Sequence, residues 1–177
     1  MGHAPQGFDR LALQVIGPPY MHILTGENVD LNRICHTLTR DGVVARLLRG
    51  RRMRTVDGVW DEFAAAFQFP YYFGHNWAAF DECLADMDWF APVGFVVGIM
   101  DAGALLADEL NGLTTLVKLL HKAGETYRQA IALGSSWDRE ARSFHVVLQE
   151  RTPEVGQVRQ HLLAAGATIA DSIPAPH

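Results

Sequence analysis

Apolar and polar positions along the chain switch between a period of two and a period near 3.6, and the switches mark the expected elements. Tyr20 to Thr25 reads as a short strand, followed by Gly26-Glu27-Asn28 turn chemistry and a helical stretch from about Asp30 to Leu38. Asp41-Gly42 breaks that helix. Val43, Val44, Leu47 and Leu48 make a strand that the interleaved Arg46 and Arg49 allow to bury only in part. Thr55 is placed to cap a helix in which Val59, Phe63, Ala66 and Phe67 recur at helical spacing until Pro70. A loop, FPYYFGHNW, leads into a second helix from near Asn76 to about Asp88. The apolar run Val93 to Met100 suits a central strand, and the spacing predicts a helix over 101–110 and a longer one from about Leu113 to Ala132. Phe144 to Leu148 reads as the last core strand, residues 153–165 as a further helix, and Ala167 to Ile173 as a short strand or tail. Residues 1–19 show no sustained periodicity and read as a flexible tail.

Strands separated by helices require crossover connections, so the expected class is α/β: a small parallel β-sheet flanked by helices, with N- and C-terminal extensions. At 177 residues and 49% hydrophobic content the chain can bury one sizeable core, which excludes disorder and disulfide scaffolds. Cys35 and Cys83 stand alone, 48 residues apart, so neither a CxxC motif nor a zinc knuckle is available and both thiols are expected to be buried. The N-terminus lacks a cationic start followed by an apolar run, and Ala91 to Met100 is about half of the ~20 residues that a membrane span needs. A cytoplasmic protein with no membrane association is the expectation.

Charge is what changes the picture. The net charge of −5 conceals a stretch from Thr55 to Val117 with ten acids and no Lys or Arg, while the remainder carries ten acids and all fifteen bases. Five arginines, Arg46, Arg49, Arg51, Arg52 and Arg54, end where the acidic stretch begins. At about 100° per residue, Trp77, Phe80, Cys83, Leu84 and Met87 share the core side of the second helix. Asp81 and Asp88 fall on one polar shoulder, Glu82 and Asp86 on the other. Asp86 and Asp88 sit near the negative end of the helix dipole, where acids cost stability, so a cationic partner is expected to recover that cost.

Phe69, Pro70, Tyr72, Phe73, Gly74, Asn76, Ala79, Asp81, Glu82, Cys83 and Leu84 form a pattern that resembles the central motif of the barstar family, the intracellular inhibitors of barnase-type ribonucleases. The resemblance is best over 42–150, looser from 20, and divides the chain into a tail at 1–19, a barstar-like domain at 20–150 and a C-terminal extension at 151–177, helix plus tail. It implies that the loop and acidic helix plug the active site of a basic ribonuclease or a ribonuclease toxin, with carboxylates standing in for RNA phosphates. The implied partner-binding residues are Tyr71, Tyr72, Gly74, His75, Asn76, Trp77, Ala78, Asp81, Glu82 and Asp86. Glu82 matches the family's principal carboxylate. Ala78 stands where the family often has Asp, and Lys122 falls where it offers another acid.

Enzymatic chemistry finds no support in the sequence, which contains no HExxH, GxSxG, P-loop or GxGxxG motif. His121 and Glu125, four apart, read as a surface pair, and His75 could approach Asp81 or Glu82. No cofactor or metal is expected. Two alternatives accompany the inhibitor reading: RNA binding through the Arg46 to Arg54 cluster, whose arginines can equally pair with the acidic surface, and an interaction module without ribonuclease inhibition.

Overall fold

The computed structural model describes residues 10–90 and 92–174. Five strands, β1 (Met21–Thr25), β2 (Val43–Arg49), β3 (Gly94–Met100), β4 (Ser143–Glu150) and β5 (Ile169–Pro174), form a wholly parallel sheet in the order β2-β3-β4-β1-β5. Helices α1 (Asn28–Arg40), α2 (Val56–Phe67), α3 (Trp77–Ala85), α4 (Asn111–Tyr127) and α5 (Val155–Ala164) supply the crossovers. The expected α/β class is therefore the observed one.

The pattern along each strand follows its position in the sheet. β3 and β4 lie inside it and are buried along nearly their whole length, which requires their unbroken apolar runs. β2 is an edge strand whose burial alternates, leaving room for Arg46 and Arg49. The larger core, on one face of the sheet, joins Phe63, Phe67, Phe80, Leu84, Phe95, Leu116 and Tyr127. The smaller core on the opposite face joins Leu31, Ile34, Cys35 and Leu38 of α1 to Leu24, Val96 and Val147. Cys35 and Cys83 are free and buried, as their isolation implied.

Helix starts are local chemistry. Thr55 accepts a hydrogen bond from the Gly58 N–H at 3.2 Å, and Glu27 and Asp30 form a reciprocal capping box at the head of α1.

Four expectations differ from the structure. Within the predicted tail, Arg10–Gln14 form a 3-10 turn, and Leu13 is fully buried in the smaller core; residues 1–9 lie outside the described residues. The helix expected over 101–110 is a single 3-10 turn, Ala102–Ala104. Asp101 and Leu106 adopt left-handed conformations there, and the Leu106 and Asp108 N–H groups donate to the Met53 and Arg54 carbonyls instead of to a preceding turn. α3 stops at Ala85, and α4 stops at Tyr127, after which Ile131 pairs with Arg139 across a turn. At the C-terminal end, by contrast, the strand offered as one of two readings of 167–173 is the observed one: β5 lies beside β1 and brings the extension into the same sheet.

Candidate protein-binding site

The loop between α2 and α3 is built to hold two tyrosines in solvent. Phe73 N–H donates to the Pro70 carbonyl at 2.9 Å, closing the turn. Phe69 and Phe73 pack edge to face at 5.2 Å, and Trp77 meets Trp60 at 5.5 Å and Phe80 at 5.6 Å, so their half-buried rings fasten the loop onto the larger core. Above them Tyr71 is 100% and Tyr72 71% exposed, their rings edge to face at 5.5 Å.

Asn76 joins loop and helix. Its Oδ1 accepts from the Ala79 N–H at 2.9 Å as the α3 N-cap, and its Nδ2 donates to the Gly74 carbonyl at 3.0 Å. His75 between them adopts a left-handed conformation, φ 44°. Its ring lies 5.0 Å from that of Phe73, and its Nε2 is 3.8 Å from Asp61 of α2, so it approaches neither Asp81 nor Glu82 as expected from sequence.

Phe80, Cys83 and Leu84 face the core from α3, with Met87 just beyond it, as the helical spacing implied. Tyr127 of α4 clamps the end of α3: its hydroxyl donates to the Leu84 carbonyl at 3.0 Å and accepts from the Met87 N–H at 3.1 Å. Burial pushes the Tyr127 hydroxyl up to about 12, so it stays protonated and able to do both. Nothing in the sequence announces this contact, because Tyr127 also reads as an ordinary core position of α4.

The four carboxylates do not project equally. Asp81 is paired with Lys122 of α4, and Asp88 with Arg142 at 3.2 Å and Arg139 at 3.7 Å. Glu82 and Asp86 are exposed and have no cationic partner among the described residues. The Cys83 thiol between them senses both: burial raises its pKa, and the Glu82 and Asp86 charges raise it further. Of the ten partner-binding residues expected from sequence, Tyr71, Tyr72, Gly74, His75, Asn76, Ala78, Glu82 and Asp86 are exposed, and Trp77 and Asp81 are half-buried.

Across the molecule the arginine run pairs with three of the ten acids of the acidic stretch. Arg49 forks onto Glu62, Arg51 reaches Asp101 at 3.0 Å, and Arg54 reaches Asp108 at 2.8 Å. Burial works to raise Glu62, yet the Arg49 hydrogen bonds and charge hold its carboxyl below the usual range. Arg46 donates to the Ala66 carbonyl and lies over the Phe90 ring at 5.4 Å. The expected His121 and Glu125 pair is also redistributed: Glu125 accepts from Tyr20 at 2.6 Å and pairs with Arg128, while His121 packs against the Tyr20 ring.

The sequence profile of the family described as Barstar (barnase inhibitor) matches residues 43–149, more than half of the chain. The chain belongs to the barstar family. That match includes the whole of the aromatic loop, α3 and the Lys122 and Tyr127 positions of α4, so the site lies inside the barstar-family region. No curated protein matches the chain. Among solved structures the ORC2 protein of Aeropyrum pernix, in its ADP form, superposes with a TM-score of 0.55 at 10% identity, over 94% of this chain. This chain spans 44% of that protein's length, and the likeness is one of fold. Among the described residues no helix is long and apolar enough to cross a membrane.

Proposed function

We propose that this barstar-family chain is an inhibitor, and not an enzyme, acting in the cytoplasm as the immunity protein of a basic ribonuclease or ribonuclease toxin. Glu82 and Asp86 occupy the partner's cationic active site, and Tyr71 and Tyr72 pack against its rim. The observation that carries this reading is a pair of uncompensated carboxylates, Glu82 on α3 and Asp86 at its C-terminal cap, beside a loop pinned from below so as to expose two tyrosines. An arginine fork accepts a carboxylate bidentately, and opposed charges steer the encounter, so such a surface suits rapid capture of a basic protein. RNA binding is disfavoured, because Arg46, Arg49, Arg51 and Arg54 are already engaged within the chain.

The test is titration of the full chain into a ribonuclease or toxin encoded beside it, with RNA cleavage as readout. The expected result is stoichiometric inhibition whose association rate falls as salt rises. Glu82→Gln is expected to weaken binding at least about 30-fold with unchanged thermal stability, since truncating one member of a desolvated charge pair costs roughly 2–5 kcal/mol. Inhibition that survives both Glu82→Gln and Asp86→Asn would refute this assignment and favour an interaction module that works through another surface.

A further inference from the structure

His22 on β1 and His145 on β4 are buried on neighbouring strands, on the sheet face of the smaller core, which Leu13 covers together with α1, and the proposed function uses neither. His22 Nε2 lies 3.0 Å from His145 Nδ1, and His145 Nε2 lies 2.8 Å from the Val15 carbonyl oxygen. A carbonyl only accepts, so His145 carries its proton on Nε2 and donates it to Val15. Its Nδ1 is then a lone pair, which accepts the His22 Nε2–H. These roles fit together while both rings are neutral.

We propose that the imidazole pair is an acid-released latch: protonation of the His22 and His145 rings frees residues 10–19 from the sheet while the rest of the domain stays folded. A proton added to His145 Nδ1 makes His22 shift its own proton to Nδ1 and accept at Nε2, and with both rings protonated two N–H groups face each other across 3.0 Å. A proton added to His22 creates a buried cation whose charged neighbour is His145 itself. Among the described residues no carboxylate pairs with either ring; two backbone carbonyls favour a proton on His145, and burial outweighs them. Residues 10–19 contribute the Val15 and Pro19 carbonyls, and Tyr20, 6.3 Å from His145 ring to ring, turns its hydroxyl away to Glu125 of α4. Glu125 is further engaged by Arg128, and His121 of α4 packs against Tyr20 at 5.2 Å. What the latch holds is small: one 3-10 turn whose Leu13 is fully buried, next to Val15 and Ile16, which remain exposed. Such a segment opens locally at far less cost than the core strands.

The direction of the linkage follows from the closed state. Burial, then the His145 charge, pushes His22 down to about 4, and burial lowers His145 as well. Once opened, the rings return to about 6.5, so the open form binds more protons between these values. The latch is closed above pH 6.5 and is progressively lost as pH falls toward 4. For His22 alone, the open fraction rises roughly 20-fold from pH 7 to pH 5.

Hydrogen exchange of the full chain, read by peptide and corrected for the intrinsic pH dependence of exchange, tests this. Protection of residues 11–20 is expected to fall at least 10-fold from pH 7 to pH 5 while α4 and β3 keep theirs. His145→Gln retains an Nε2 donor for Val15 without titrating and is expected to diminish that fall; His22→Gln, which removes the roughly 20-fold share of His22, is expected to diminish it more. Unchanged protection at 11–20, simultaneous loss in every element, or an undiminished fall in both variants overturns the latch.

Discussion

Tyr127→Phe removes one oxygen atom and tests whether α4 holds the end of the acidic helix. The ring has its own reasons to stay in place: it is fully buried, 4.9 Å from Phe95 and 5.9 Å from Phe144, with the Arg139 guanidinium 4.7 Å above it. What disappears is the donor to the Leu84 carbonyl and the acceptor for the Met87 N–H. A buried hydrogen bond contributes about 1 kcal/mol net, and an orphaned buried group costs about 1–3 kcal/mol, so losing both ends is expected to cost roughly 2–3 kcal/mol. For a domain of this size that lowers Tm by about 4–12 °C. Because the hydroxyl titrates only near 12, the deficit relative to wild type is expected to be constant from pH 6 to pH 9. Urea unfolding followed by tryptophan fluorescence measures the loss, and amide exchange locates it. Met87 is expected to lose protection while Phe80, about two turns earlier, keeps it. A loss below about 0.5 kcal/mol, or unaltered Met87 protection, refutes the claim that Tyr127 positions the end of α3.

Other substitutions separate local from tertiary effects. Asn76→Ala removes the α3 cap and the donor to Gly74, and is expected to lower stability by about 1 kcal/mol in thermal unfolding, whereas Asn76→Asp keeps the cap and most of that stability. Two helical glycines are expected to respond to alanine with opposite signs in urea titrations. At Gly124 a Cβ would come within 2.6 Å of the Tyr20 ring and is expected to cost about 1–3 kcal/mol, while at Gly156 it meets nothing within 4 Å and is expected to add up to about 1 kcal/mol.

The elements that were legible along the chain are those whose causes are local. Thr55 and Asn76 cap the helices that follow them, β3 reads as an interior strand because both its faces are covered, and the interleaved arginines mark β2 as only partly buried. The aromatic loop was legible because its motif residues are contiguous, and Tyr71, Tyr72, Asn76 and Glu82 stand on one short segment. Misplaced elements have non-local causes. The helix expected over 101–110 fails because its N–H groups find the Met53 and Arg54 carbonyls, some fifty residues earlier in the chain. Leu13 gave no periodic signal, since a single 3-10 turn has no period to read, and only the smaller core reveals why that segment is ordered.

Charge shows the division most sharply. By itself the sequence determined that ten acids without a base lie between Thr55 and Val117, and that four of them belong to the motif helix and the turn after it. Only the tertiary structure decided which of those charges remain available. Lys122 comes from 41 residues away to neutralise Asp81, Arg142 from 54 residues away to meet Asp88, and Arg49, Arg51 and Arg54 fold back onto Glu62, Asp101 and Asp108. Glu82 and Asp86 keep their charge facing solvent. The reason is distance: charges interact over a few ångströms through space, and a sum along the chain counts neighbours in sequence, not neighbours in the fold.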